Sequence, residues 1–301
     1  MANENTESRL ATRPSELPAR GWRNTLRRTW EAMVATNMSV IAAGIAFYAV
    51  WALFPALVAL VIIGDVLVGE PAVVHLLSWI RIDLPESFDI VVVNQLKAIA
   101  QQSRGISSVT LASAVLFSFW SAMRGVRGLM QALNVVHGEE ERRPFWQRQL
   151  VAFCLACFSG CLLLVAIGLI VSMPAYGAHD GDEIALVVLA PSRWPFLILL
   201  LMISLSVIFR YGPSGPTAKW RWVTWGATGS AIIIVVGSFL FSYYASHFGH
   251  FNVLLGSLGA VTIFLLWSYL NVLAILFGAQ VNAEFEHTLS RTSSGGTTHC
   301  H

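Results

Sequence analysis

Long apolar segments constrain this chain more than any other feature of its sequence. Six of them approach or exceed the roughly 20 residues that an α-helix needs to cross the hydrocarbon core of a bilayer. Only 12% of the 301 residues are charged, against roughly 25% in soluble globular domains. The sequence therefore predicts an all-α fold, a polytopic membrane bundle with six transmembrane helices. The predicted spans are residues 39–68, 107–136, 149–173, 194–211, 222–246 and 252–283.

The polar ends divide the chain into three predicted parts. Residues 1–19 are polar and contain proline, which is typical of a disordered tail, and residues 287–301 are predicted to form a second disordered tail. Residues 20–286 between them form the membrane domain.

The membrane domain begins with a basic amphipathic segment, residues 20–37. Apolar side chains recur on one side at helical spacing, and arginines lie on the other. The apolar residues are Trp22, Leu26, Trp30 and Met33, and the basic ones are Arg23, Arg27 and Arg28. This pattern favours a helix lying on an anionic membrane surface. A soluble lead-in to the first span is the alternative.

The connection between the first two spans, residues 69–106, is long and apolar rather than linker-like. Its segments 71–81 and 86–104 each read as a short helix, the first with a proline at the favoured first helical position. Neither segment is long enough to span a bilayer, so we expect both helices to lie on the outer face.

Basic residues are unevenly distributed along the chain. Placing the N-terminus in the cytoplasm and alternating sides puts 15 of the 19 Lys and Arg residues inside and four outside. Because Lys and Arg accumulate in cytoplasmic loops, we expect both termini to be cytoplasmic. The acidic connection 174–191 is then an outer loop.

A polar stripe runs along the second predicted span. Its members advance by three or four residues and therefore share one helix face: Ser121, Arg124, Arg127, Gln131 and Asn134. A charge at the bilayer centre costs at least ~2.5–3.5 kcal/mol on insertion scales. Two interpretations remain open. The stripe lines an anion site, for instance for a lipid phosphate that Arg holds in bidentate fashion, or it anchors an overlong helix at the cytoplasmic interface.

The sixth predicted span carries a second polar series. Asn271 lies deep in this span, and Gln280 and Asn282 follow near its end. Asn271 is expected either to hydrogen-bond across helices, worth roughly 1 kcal/mol in a membrane, or to contact a ligand.

Other residues have predicted structural roles. Pro55 removes a backbone hydrogen bond inside the first span and should kink it. The small residues Gly226 and Ser230, and Gly256 with Ala260, have the spacing that lets membrane helices approach closely.

Motifs for catalysis and cofactor binding are missing from the sequence. It contains no P-loop, no His-Glu-x-x-His, no Gly-x-Ser-x-Gly and no pair of Cys-x-x-Cys motifs, since Cys154 and Cys157 form a single one within an apolar stretch. The basic residues are explained by topology and are poor evidence for nucleic-acid binding. We therefore predict no enzyme, no cofactor, no metal site and no nucleic-acid partner.

Three ordered blocks of sequence carry a family resemblance. They are AAGIAFYAVWALFPALVAL, FWSAMRGVRGLMQALNVVHGEEERRPFWQRQL and GSLGAVTIFLLWSYLNVLAILFGAQVNAE, the last beginning with Gly256 and Gly259. Over residues 22–286 the chain resembles the YihY/BrkB family of bacterial inner-membrane proteins, once labelled ribonuclease BN. Gln280 stands where that family usually has Glu, and Leu255 replaces a common aromatic residue.

The resemblance implies a six-helix bundle in the bacterial cytoplasmic (inner) membrane. Members of this family have been linked to serum resistance, a virulence property, to envelope integrity and to lipid movement toward the outer envelope, and the ribonuclease label is regarded as a misassignment.

The leading hypothesis is a non-enzymatic envelope protein that binds or transports an anionic lipid or amphiphile. Arg124 and Arg127 would hold the headgroup. The predicted cavity residues are Gln131, Asn134, Asn271, Gln280 and Asn282. The first alternative is a scaffold that anchors a periplasmic envelope protein, and a ribonuclease BN-type enzyme ranks last. Membrane lipids are the expected partners, and homo-oligomerisation is left open.

Overall fold

The computed structural model describes residues 19–68, 108–180, 183–215, 220–248 and 257–294. All regular structure in these ranges is helical, which confirms the predicted all-α class. The helices are α1 (Ala19–Ala35), α2 (Met38–Val68), α3 (Ser108–His137), α4 (Phe145–Asp180), α5 (Glu183–Tyr211), α6 (Trp220–Phe248) and α7 (Ser257–Ser294).

Some predictions fall outside the described ranges. These are the outer-face helices of 69–106, the N-terminal tail up to residue 18, and Gly256. Helix α7 continues to Ser294, past the start of the tail predicted at 287. Helix α2 continues through Pro55, and Gly259 is buried near the start of α7.

The amphipathic helix and the first span meet at a sharp bend, where the sequence places the boundary. Arg23–Ala35 and Met38–Leu53 are inclined by 70°. Asn37 adopts a left-handed backbone conformation, with φ of 51°, which Asn tolerates at a helix C-terminus. Its carbonyl then accepts the amide of Val40 at 3.0 Å, so one residue ends α1 and starts α2.

Four helices of the described part are long and apolar enough to cross a membrane. They contain Phe145–Leu169, Trp194–Tyr211, Trp225–Tyr244 and Val261–Glu286, and the bent pair α1–α2 would make a fifth span. Helix α3, which carries the polar stripe, is not among them. The chain is thus a multi-helix membrane protein, and the count of six stays a prediction.

The prediction that residues 174–191 form an outer loop is wrong. Helix α4 continues to Asp180 and α5 already begins at Glu183. The segment 184–190 consists of Ile, Ala, Leu and Val, and its Ala and Leu residues have high helix propensity. The helices therefore continue into the stretch that the acidic residues had suggested was loop.

Helix α7 lies at the centre of the bundle and packs against α1, α2, α3 and α6. The pairs α2–α3, α3–α4, α4–α5 and α5–α6 are also in contact. One core cluster joins Met38 at the start of α2, Phe209 near the end of α5 and Ala283 late in α7. These helix ends therefore lie at the same end of the bundle, which we call the basic end.

Small residues bring α6 and α7 into close contact, as the spacing of Gly226 and Ser230 predicts. An added Cβ on Gly278 would overlap Ser230 Oγ and lie 2.6 Å from the Gly226 carbonyl oxygen. Ser230 Oγ donates a hydrogen bond to the Ala274 carbonyl at 3.1 Å. The two backbones can meet only because these positions lack bulk.

Candidate functional site

The polar stripe of α3 lies along the outward side of the helix rather than toward the centre of the bundle. Arg124 and Gln131 are exposed, and Arg127 is half-buried. Ser121 and Asn134, the first and last residues of the stripe, are buried against neighbouring elements. The middle of the stripe therefore faces the surroundings of the bundle, and its two end residues pack α3 against its neighbours.

Arg124 is held against an aromatic ring at this surface. Its Cζ lies 4.7 Å from the ring centroid of Trp120, one helical turn away. Such a cation–π contact contributes about 0.5–1 kcal/mol at exposed sites. The guanidinium N–H groups at the rim of the stacked plane remain able to donate hydrogen bonds outward.

Arg127 lies near two other arginines. Arg127 interacts electrostatically with both Arg124 and Arg148, and its Nε donates to the Met123 carbonyl at 3.2 Å. Arg148 Nε is buried with no hydrogen-bond partner among the described residues. We call Arg124, Arg127 and Arg148 the basic patch. No carboxylate in the described ranges lies within salt-bridge distance of them, so their like charges favour an anion.

Asn134 does not point toward the basic patch. Its Nδ2 donates to Glu141 Oε2 at 3.0 Å, and its Oδ1 accepts the amide of Ser214 at 2.7 Å. Gly138, with φ of 63°, ends α3 so that the Glu139 amide reaches the Asn134 carbonyl at 2.9 Å, which is a Schellman pattern. Asn134 thus joins the α3–α4 connection to the one after α5.

Arg143 reinforces the same junction. Its guanidinium donates to the carbonyls of Gly212 and Tyr211, both at 3.2 Å, and to that of Pro213. Ser214 Oγ donates to the Glu140 carbonyl at 2.8 Å. We call residues 134–143 with 211–215 the loop junction. It fixes both connections at the basic end of the bundle.

Asn271 and Asn282 of α7 form hydrogen bonds within their own helix and to α6, respectively. Asn271 Nδ2 donates to the Trp267 carbonyl of its own helix at 2.8 Å, and the cross-helix bond comes instead from Trp267 Nε1 to Ser238 Oγ at 3.3 Å. Asn282 Oδ1 accepts the Gly226 amide at 2.8 Å. Gln280 is buried. Asn282 therefore packs α7 against α6.

A small cavity lies between α3, α4 and α5, and its walls are almost wholly apolar. It contains none of the predicted site residues. It is lined by Val126, Leu129, Met130, Leu155, Ser159 and Ile208.

Sequence reasoning missed three participants in these arrangements. Arg148 of the basic patch is on α4, and Glu141 and Arg143 of the loop junction are in a connection. Periodicity along α3 cannot reveal partners on other elements. The only sequence signal was the Arg-Pro-Phe-Trp block, in which Arg143 precedes Pro144.

A bundle of long apolar helices with an outward basic patch defines an integral membrane protein. Residues 29–298 match the family described as Virulence factor BrkB. The match covers most of the chain, and the chain belongs to this family.

Three curated relatives that match half of the chain or more are less than 30% identical to it. The chain is 28% identical to the ribonuclease-like protein YfkH of Bacillus subtilis over 58% of this chain and 64% of that protein. It is 26% identical to a UPF0761 membrane protein of Ralstonia nicotianae over 66% of this chain and 44% of the relative. A UPF0761 membrane protein of Verminephrobacter eiseniae is 24% identical over 92% of this chain and 65% of its own length. The chain thus spans less than two thirds of each relative. No solved structure matches.

Proposed function

We propose that this protein is an envelope protein of the bacterial cytoplasmic membrane that binds an anionic lipid or a similar amphiphile and moves it within the envelope. The observation that carries the proposal is the basic patch. It is an outward cluster of arginines on membrane helices, with Arg124 stacked on Trp120 and Arg127 between two like charges.

The chemistry of the patch fits a phosphate. Arginine presents a planar set of donors that pairs with phosphate in bidentate fashion, and hydrogen bonds to charged groups contribute about 1.5–3 kcal/mol each. An anion would satisfy the donors and relieve the repulsion among Arg124, Arg127 and Arg148. Trp120 suits the headgroup level of a bilayer, where aromatic rings accumulate.

The proposed orientation places the basic end in the cytoplasm. The loop junction, the start of α2 and the end of α7 lie at this end. The loop junction brings Arg142 and Arg143 to the same end of the bundle as the basic patch, and positive residues favour the cytoplasmic side. Both termini of the membrane domain are then cytoplasmic.

Binding is tested with the purified full chain in nanodiscs of zwitterionic lipid that contain a small fraction of phosphatidylglycerol. Lipids that remain bound after detergent extraction are quantified by mass spectrometry. Replacing Arg124 and Arg127 with Gln should reduce the enrichment of phosphatidylglycerol by at least about tenfold, which corresponds to about 1.4 kcal/mol. Unchanged enrichment would remove the assignment.

Arg142→Gln is the matched control. Arg142 lies at the same end of the bundle but is highly exposed and only 3.8 Å from Glu139. Its replacement removes one positive charge without touching the basic patch. If Arg142→Gln lowers the enrichment as much as the patch variant does, the effect is one of net charge and the proposed site is wrong.

Movement of the lipid is tested separately in proteoliposomes. Fluorescent phosphatidylglycerol in one leaflet is followed by quenching from the other side. We expect faster exchange with the protein than with empty liposomes, and loss of that rate in the Arg124→Gln, Arg127→Gln variant. A rate equal to that of empty liposomes would restrict the function to binding.

The name of the Bacillus subtilis relative provides a specific alternative, a ribonuclease. Purified protein incubated with RNA should cleave no more than a preparation from cells that lack it. Cleavage that a chelator abolishes would replace the lipid proposal.

A further inference from the structure

Exposed aromatic rings form a continuous surface across α2 and α3. Phe47 and Trp51 of α2 have centroids 5.9 Å apart, Trp51 and Phe117 of α3 are 6.1 Å apart, and Phe117 and Trp120 are 5.8 Å apart. These distances are in the range of favourable ring contacts. All four side chains are 40–50% exposed. We call them the aromatic patch.

The aromatic patch adjoins the basic patch on one side only. Trp120 belongs to the aromatic patch and carries the Arg124 guanidinium. Phe117 lies seven residues before Arg124, about 10 Å along the helix axis at 1.5 Å per residue, on the side away from the loop junction. In a membrane, the aromatic rings therefore lie deeper in the hydrocarbon than the arginine.

The seam between α2 and α3 beneath this surface is closely packed. Ser121 Oγ donates to the Tyr48 carbonyl at 3.1 Å, and Ser118 Oγ donates to the Ala52 carbonyl at 2.9 Å. An added Cβ on Gly128 would come within 3.1 Å of Ile45. No acyl chain can pass between α2 and α3 here, so a ligand must lie on the outside of the pair.

We infer that the ligand of the basic patch is a long-chain anionic phospholipid that arrives laterally from the bilayer. Its phosphate binds Arg124 and Arg127, and its acyl chains lie on the aromatic patch. This inference rests on the proposed function and names its substrate class. A water-soluble phosphate would use the arginines and leave the rings without a role.

Charge argues against a second copy of the chain as the occupant of this face. A two-fold interface places the same surface of each subunit against the other. The basic patches of two copies would then be brought together, and their like charges would repel. An anionic lipid instead supplies the opposite charge and an apolar body in one molecule.

The test uses phosphatidylglycerol that carries a photoactivatable diazirine in its acyl chain, with the full-length protein in nanodiscs. After illumination, labelled peptides are mapped by mass spectrometry. Labels should concentrate on the segments of α2 and α3 that carry Trp51 and Phe117. Replacing both residues with Leu should lower this labelling at least about twofold, because Leu keeps apolar area but loses the ring contacts.

Phe239→Leu is the matched control. Phe239 is 60% exposed on α6 and also contacts a neighbouring ring, that of Trp194, with centroids 6.0 Å apart. This change should leave labelling of α2 and α3 unaltered. Equal loss in the control would overturn the inference, because the loss would then not depend on the rings of Trp51 and Phe117.

The possible results distinguish failure of the acyl-chain site from failure of the proposed lipid-binding function. Labels elsewhere on the bundle, with phosphatidylglycerol enrichment still dependent on Arg124 and Arg127, would overturn the acyl site and leave the proposed function standing. Competition by glycerol phosphate as effective as that by phosphatidylglycerol would also overturn it. Crosslinks between two protein copies through Trp51 would assign this face to an oligomer and overturn it as well.

Discussion

Replacing Gly278 with Ala should destabilise the contact between α6 and α7. The new methyl group would overlap Ser230 Oγ and lie 2.6 Å from the Gly226 carbonyl oxygen and 3.1 Å from Ser230 Cβ. Favourable nonbonded separations are about 3.5–4.0 Å, so the helices must move apart or α7 must rotate. Overpacking of this kind costs about 1–3 kcal/mol.

The matched control is Gly44→Ala in α2, where an added Cβ has no atom within 4 Å. Both changes gain the helix propensity of Ala, about 1 kcal/mol, so their difference isolates the packing cost. The free energy of unfolding is measured in mixed micelles by titration with SDS, followed by circular dichroism. Gly278→Ala should unfold at lower SDS than Gly44→Ala by the equivalent of about 1–3 kcal/mol.

A second comparison identifies the clashing atom. In a Ser230→Ala background the overlapping oxygen is gone, and Gly278→Ala should cost less than it does alone. Such coupling between neighbouring residues is what a double-mutant cycle measures. Equal stability of the Gly278→Ala and Gly44→Ala proteins would refute the close packing of α6 and α7 described above.

Two other predictions concern elements that flank the candidate site. Asn134→Leu should destabilise the protein by about 1–3 kcal/mol because it removes the acceptor of the Ser214 amide and the donor to Glu141 Oε2. It should also speed proteolysis in the loop junction, whereas Gln131→Leu at an exposed position should not. A peptide of residues 19–35 should bind anionic vesicles more tightly than neutral ones. Trp30 is 66% exposed, and its replacement with Ala should weaken binding to both vesicle types. Equal affinity for the two vesicle types would contradict a surface role for α1.

Local sequence patterns predicted the helices and their boundaries better than they predicted which residues pack around each helix. The boundary between α1 and α2 follows from an amphipathic segment, an Asn that tolerates a left-handed conformation, and the start of an apolar run. The spacing of Gly226 and Ser230 likewise predicts close helix packing. Each signal depends on residues near one another in the chain, so these features can be predicted without knowing the tertiary structure.

The direction of the α3 stripe could not be predicted in this way. Helical spacing shows that Arg124 and Gln131 share a face, but the neighbours of α3 decide whether that face points inward or outward. Those neighbours are α2, α4 and α7, and the spacing within α3 does not show on which of its sides each of them packs. Asn134 illustrates the same limit, since its partner Ser214 is 80 residues away.

The loop predicted over 174–191 failed for a different reason. Acidic residues there resemble a connection, but the segment 184–190 consists of Ile, Ala, Leu and Val and is helical. Hydropathy reports where a helix crosses a membrane and not where the helix ends. Helices α4 and α5 therefore continue beyond their apolar parts, Phe145–Leu169 and Trp194–Tyr211.

The central claim is that Arg124 and Arg127 hold a lipid phosphate on the outward face of α3. An electron cryomicroscopy structure of the full chain in nanodiscs containing phosphatidylglycerol tests it most directly. We expect phosphate density within hydrogen-bonding distance of both guanidinium groups, with acyl density over Trp51 and Phe117. A face covered by another protein copy, or arginines paired only with protein carboxylates, would contradict it.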